Sequence, residues 1–224
     1  MARNKYPEVT VGRILDASEK LFLEKGYDNT TIQDIIDALG DLSKGAIYHH
    51  FKSKEDIMDA LTTRMCGVVD ILCEELMSNK ELNGLEKIRE LLYITLENPV
   101  QKTLLDVMPN MLKNPKLLVM QIDITMNKLA NDIMVSFIKT GIADGSVKTD
   151  YPKELAEVIA LLINIWLNPF VFKLTLEEAY RKCMFLKQMT EAMGLNIFDE
   201  RIINAFKNLS IEHKSSISKK DNLP

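Results

Sequence analysis

The sequence predicts an all-α fold: an N-terminal three-helix unit of helix-turn-helix type, followed by a larger helical body. Three observations predict it. Strand signals are nearly absent, apolar residues recur at i, i+3, i+4 and i+7, and caps, glycines and prolines mark the ends of those stripes. The first helix, at about 9–25, carries Ile14, Ser18, Leu21, Phe22 and Lys25 along one side and ends at Gly26. Thr31 opens the second, at about 31–39. Asp34 three residues later makes a capping-box-like start, Ile32, Ile35, Ile36 and Leu39 form the stripe, and Gly40, free to take positive φ, stops it. Ser43 caps the third, at about 43–50, where Ile47 and the following Phe51 fall one turn apart and face inward. Ser53 caps the fourth, at about 53–79, with Glu55 and Asp56 in its first turn. Met58, Leu61, Met65 and Val68 give this helix an apolar face toward the N-terminal unit, and Leu72, Cys73 and Leu76 continue it toward the body.

After the loop SNKELNG, helices are expected at about 84–97 and 99–108, then at 115–141 beyond Pro109 and Pro115. Gly141 and the Asp144-Gly145 turn close that long helix, and Pro152 suits the first turn of the next. That one runs to about Phe172 and bends or breaks near Pro169. Thr175 caps a helix to about Met193, ended by Gly194, and Asp199 to about His213 forms the last. No internal repeat is visible. The expected organisation is 1–55 for the N-terminal unit, 56–79 for a connecting helix, 80–213 for the body and 214–224 for a polar tail.

The third helix carries the chemistry. Gly45, Ala46 and His49 point away from Ile47, with Tyr48 and His50 on the flanks. Small residues at 45 and 46 let the first turn come close to a target, as a helix lying in the major groove of DNA must. From Leu42 to Lys54 there is no acidic residue, while Lys44, Lys52 and Lys54 are basic. Tyr48, His49 and His50 can donate to phosphate oxygens, and Lys44 can reach guanine acceptors. Arg3 and Lys5 add a basic arm.

Composition narrows the alternatives. The 224 residues, 46% of them hydrophobic, suffice for a substantial core. The formal net charge of −4 argues mildly against a nucleic-acid partner, but the local charge of residues 42–54 decides that question. The N-terminus lacks the apolar stretch of a secretion signal. The longest apolar run, 158–172, is shorter than a bilayer span and contains Asn164, Asn168 and Pro169, so no membrane partner is expected. Three cysteines without CxxC spacing, two of them (Cys66 and Cys73) on one helix face, suggest core packing in a reducing cytoplasm. Neighbouring His49 and His50 diverge by about 100° with no third ligand at metal spacing, so no metal is expected. No nucleophile-base set or phosphate-cradling glycine loop appears, which argues against an enzyme and against a cofactor.

The segment RILDASEKLFLEKGYDNTTIQDIIDALGDLSKGAIYHHFKSKEDI resembles the N-terminal DNA-binding domain of the TetR family of transcriptional regulators. Ala17, Leu21, Phe22, Gly26, Tyr27, Thr30, Thr31, Ile32, Ile35, Gly40, Ser43, Gly45, Tyr48, Phe51 and Lys54 stand in the family's order. The resemblance implies phosphate contacts from Thr31, Tyr48, His50 and Lys54, and base-facing positions for Lys44, Gly45 and Ala46. With Ser43 and His49 these make up the expected DNA-facing set. One departure is that Asp41 and Leu42 stand where most members have a single residue, which bears on the tilt of the reading helix.

The resemblance also implies a C-terminal helical ligand-binding and dimerisation domain, and a fourth helix that transmits movement to the head. The expected partners are a palindromic double-stranded operator, a second copy of the chain and a small, largely apolar inducer that releases a repressor. The alternative is a protein-interaction co-activator with weak DNA binding or none. Two reading heads need a twofold assembly, and the helices at 152–172 and 175–193 offer surfaces for it. Tyr93, Met108, Met111, Met120, Asn164, Trp166 and Asn168 are the candidates to line an inducer pocket. Asn164 and Asn168 share a face of an apolar helix, where each must bond a ligand, the other amide, a backbone carbonyl or a partner subunit.

Overall fold

The computed structural model describes residues 7–208, without the side chains at 66, 68, 69, 100, 101, 102, 105 and 176. Arg3, Lys5, the Cys66 side chain, His213 and the tail at 214–224 lie outside the described residues. Every regular element among the described residues is helical. The chain forms two compact units. Of the described residues, one holds those up to Gly67 together with Thr103–Pro109, and the other holds Val68–Lys102 and those from Asn110 to residue 208.

The first unit contains α1 (Pro7–Lys25), α2 (Ile32–Leu39), α3 (Lys44–His50) and the start of α4 (Lys54–Ser78). Its core is Ile14, Leu15, Leu21, Phe22, Tyr27, Ile35, Ile47, Phe51, Ile57, Met58 and Leu61, all buried. Of the α2 stripe only Ile35 is fully buried; Ile32, Ile36 and Leu39 are half-buried. Gly26 and Gly40 both take positive φ, at 81° and 71°, and so end α1 and α2. Arg64 on α4 reaches Asp16 at 2.7 Å and Glu19 at 2.9 Å on α1.

The second unit contains α5 (Gly84–Glu97), the short 3₁₀ turn Met111–Lys113, α7 (Pro115–Asp123), α8 (Val135–Asp144), α9 (Pro152–Leu161), α10 (Leu176–Ala192) and a further helix from 200 to 208. The preceding helix, α6 (Pro99–Val107), crosses from one unit to the other along the chain. The core of the second unit gathers Ile88 and Leu91 of α5, Phe137 and Ile138 of α8, Leu155 and Ile159 of α9, Cys183 and Leu186 of α10, and Phe198 and Ile202 beyond. Burial pushes the Cys183 thiol up to about 11, so it sits in this core as an inert apolar group.

Two boundaries differ from expectation. The helix expected at 115–141 continues to Asp144, with Gly141 inside it and Gly145 ending it in the left-handed region (φ 81°, ψ 5°). Between α7 and α8 it widens into a π stretch, Ile124–Met134. The helix expected at 152–172 stops earlier. After α9 it takes one π turn, Leu162–Trp166, and ends at Leu167. Pro169 explains the stop, because its ring disfavours helical backbone at Asn168. Asn168 then builds the turn: its Oδ1 accepts the Phe170 N–H at 2.8 Å and its carbonyl accepts from Val171 and Phe172.

Candidate nucleic-acid interface

α3 is fixed from behind and open in front. Ile47 is completely buried, and Phe51, where the backbone turns extended (φ −131°, ψ 123°), is buried beside it. The Ser43 hydroxyl caps the helix by accepting the Ala46 N–H at 3.2 Å. Ser43, Lys44, Gly45, Tyr48 and His49 are exposed, with Ala46 and His50 half-buried. A Cβ built on Gly45 would meet only Ser43 Oγ, at 3.9 Å. Packing therefore does not require glycine at this second position of the helix. Lys44 Nζ lies 5.8 Å from the Tyr48 ring centroid, and Lys52 is exposed, so the face is positive. The His49 and His50 rings meet edge to face at 5.2 Å.

Thr31 and Lys54, expected at phosphates, are engaged within the protein. The Thr31 hydroxyl donates to Asp34 Oδ2 at 2.6 Å, its N–H donates to the same oxygen at 2.7 Å, and its Oγ1 accepts the Asp34 N–H at 3.1 Å. This is a complete capping box, as the Thr31–Asp34 spacing predicts. Lys25 adds a pairing to Asp34 at 2.8 Å, and Lys25 with Thr31 holds that carboxyl well below the usual carboxylate range. With its proton given to Asp34, the Thr31 hydroxyl has no donor left for a phosphate in this arrangement.

Lys54 Nζ donates to the carbonyls of Tyr27 at 2.6 Å and Thr30 at 2.8 Å, and sits 4.1 Å from the Tyr27 ring centroid. Its burial lowers the ammonium's affinity for its proton. Tyr27 is also buried, and its hydroxyl donates to Glu55 at 3.2 Å. The lysine thus pins the α1–α2 loop to the start of α4. We expect Lys54→Ala to cost about 2–3 kcal/mol by leaving two carbonyls without their charged donor. Thermal unfolding checks this. A variant that melts with the parent, yet shows a salt slope of DNA binding about one unit shallower, would make Lys54 a phosphate contact instead.

The sequence profile of the bacterial regulatory proteins of the tetR family matches residues 14–61, which run from the buried Ile14 through α3 to Leu61. The HTH-type transcriptional repressor KstR2 of Mycolicibacterium smegmatis is 30% identical over 156 residues, covering 63% of this chain and 69% of that protein. The chain belongs to the TetR family. KstR2 of Mycobacterium tuberculosis is 35% identical over 88 residues, 38% of this chain, and the chain spans only 42% of that relative's length. A TetR-family regulator structure from Pectobacterium atrosepticum superposes with a TM-score of 0.59 at 19% identity, over 85% of this chain and 97% of that one, which shows the shared fold.

The residues expected around an inducer pocket are placed as follows. Met108 falls in the first unit and the other six in the second. Asn164 Nδ2 donates to the Ala160 carbonyl at 3.0 Å, and Asn168 Nδ2 to the Asn164 carbonyl at 2.8 Å. Of the partners open to these amides, backbone carbonyls are the ones found. Tyr93 is half-buried against the core with the Arg201 guanidinium 4.1 Å from its ring centroid, and Met111 is buried. Met120 is half-buried on α7. Trp166 packs edge to face on Phe185 at 6.0 Å, with Lys182 Nζ 4.6 Å from its centroid. Sequence reading missed Lys182, whose ammonium also donates to the Trp166 carbonyl at 2.8 Å and lies over Phe172. No local signal marks it, because the cage forms between α10 and the turn after α9. Also missed was the capping box that opens α5, Asn83 with Glu86, which the N-x-x-E spacing does signal.

Proposed function

We propose that the chain is a DNA-binding transcriptional repressor, acting as a homodimer on a twofold operator in the cytoplasm and released by a small, largely apolar molecule. The observation that carries this reading is Gly45. It is an exposed glycine in the first turn of α3, where a Cβ would meet only Ser43 Oγ at 3.9 Å, on a face otherwise built of Ser43, Lys44, Tyr48 and His49. Close approach to base edges accounts for it, and folding does not. The repressor names of the KstR2 relatives support the direction of control. Exposed Val158 on α9 and Tyr180 and Phe185 on α10 support the pairing of two chains through these helices. None of the described helices is long and apolar enough to cross a membrane.

Under this reading Tyr48 and His50 grip phosphates while Lys44 and Ala46 face bases, and α4, which supplies residues to both units, links the regulatory half to the head. Binding to duplexes from the DNA flanking its own gene should weaken steeply with salt, by about 0.9 log units of affinity per log unit of salt for each phosphate neutralised. Tyr48→Ala should cut affinity for every duplex by about the same factor, whereas Lys44→Ala should change which duplex is preferred. A Tyr48→Ala variant that alters preference, with Lys44→Ala leaving it untouched, would reverse these roles.

A further inference from the structure

The turn between α2 and α3 is fixed by a contact from α1. At Gly40 (φ 71°, ψ −36°) the chain folds so tightly that the Asp41 N–H donates to the Leu39 carbonyl two residues back, at 2.8 Å. This throws the Asp41 side chain toward Arg13, 28 residues earlier on α1. Arg13 Nη1 donates to Oδ2 at 3.0 Å and Nη2 to Oδ1 at 2.6 Å, a two-pronged fork that fixes direction as well as distance. The guanidinium keeps the Asp41 carboxyl below its ordinary range, so the pair is charged at neutral pH.

The anchoring of α3 is lopsided. Its C-terminal end is held by buried Ile47 and Phe51, but ahead of Ile47 nothing is buried: Leu42 and Ala46 are half-buried, and Ser43, Lys44 and Gly45 are exposed. The first turn, which carries the proposed base-facing residues, therefore hangs from the 40–43 turn. We infer that the Arg13–Asp41 fork is a positioning pair that sets the pose of the first turn of α3 and so the discrimination between operator and other DNA. This inference rests on the proposed reading face.

Charge alone makes the opposite forecast, which gives the test its edge. Asp41 is a negative group near a surface proposed to meet phosphates, so Asp41→Asn should tighten binding to every duplex if only charge mattered. If the pair positions the helix, Asp41→Asn and Arg13→Lys, which keeps the charge and loses the fork, should each lower the ratio of operator to non-operator affinity about threefold, in line with the strength of an exposed ion pair. The swapped double variant, Arg13→Asp with Asp41→Arg, should recover part of that ratio. A readout without DNA is hydrogen exchange at the Ala46 amide, held by Ser43, which should quicken in both single variants while the melting temperature stays close to the parent's. Unchanged exchange at Ala46 together with an unchanged affinity ratio would overturn the inference and leave the reading of α3 intact. A parent that retards no duplex would instead overturn that reading, and the pair's part in discrimination with it.

Discussion

Gly84→Ala should strip the second unit of a large share of its stability. The first residue of α5 lies against α8 so closely that a Cβ there would stand 2.1 Å from the Gly141 nitrogen and 2.3 Å from the Phe137 carbonyl oxygen. Both are backbone atoms of a helix, which cannot turn aside as a side-chain tip can. Gly141 is itself crowded, since a Cβ on it would meet Val147 Cγ2 at 2.5 Å. To admit one methyl group the start of α5 must lift off α8. That breaks the bonds from the Gly84 N–H to Asp144 at 2.8 Å and from the Leu85 N–H to Ser146 at 3.3 Å. It also opens the core where Ile88 and Leu91 meet Phe137 and Ile138. Overpacking alone typically costs about 1–3 kcal/mol, and the lost caps and opened core should bring the total to about 4 kcal/mol or more. Total stabilities are typically about 5–15 kcal/mol, so this is a large share. Gly12→Ala is the control: a Cβ at Gly12 inside α1 meets nothing within 4 Å, and the change should stabilise by about 0.5–1 kcal/mol. Urea unfolding of the two variants reads both results. A Gly84→Ala protein as stable as the parent would mean that the α5–α8 approach is looser than described.

Gly45→Leu should have the opposite character, with the fold kept and DNA binding lost. Leucine is a far better helix former than glycine, and the position is open apart from Ser43 Oγ, so the melting temperature should stay level or rise. On a bound duplex the isobutyl group would stand between the first turn of α3 and the base edges. Hydrogen bonds that need approach to about 3 Å are then out of reach. Losing even two bidentate base contacts, each worth about 1–3 kcal/mol, lowers affinity by roughly 30-fold or more. The residual binding should be the salt-sensitive, sequence-blind kind. Circular dichroism melting beside fluorescence anisotropy separates the two effects, and a drop in both together would point to misfolding instead.

The head was readable because its signals are local. Thr31 with Asp34, Gly40, Ser43, and Ile47 with Phe51 each act within about one helical turn, and each stands where the spacing puts it. Lys54 was not readable, since its partners at Tyr27 and Thr30 are contributed by the loop after α1, 24–27 residues away in sequence. Nor could spacing foresee that Arg13 would accept the longer turn at Asp41. In the body, Gly141 looked like a helix end because glycine often is one. Its role as a crossing point against Gly84 depends on two segments 57 residues apart. The π-widening at Ile124–Met134 and Leu162–Trp166 leaves no mark on a pattern of apolar residues that covers nearly every face. Asn164 and Asn168 had several chemically fair partners, and only the backbone path could choose among them.

The central claim is that the exposed face of α3 reads DNA as a symmetric pair. It is tested most directly by titrating parent and Gly45→Leu protein, side by side, against duplexes tiled across the DNA flanking the gene. The account predicts one preferred duplex with twofold-related halves, bound by two chains of the parent, and no preference in the variant. Equal preference in both proteins, or a parent that favours no duplex, would contradict it.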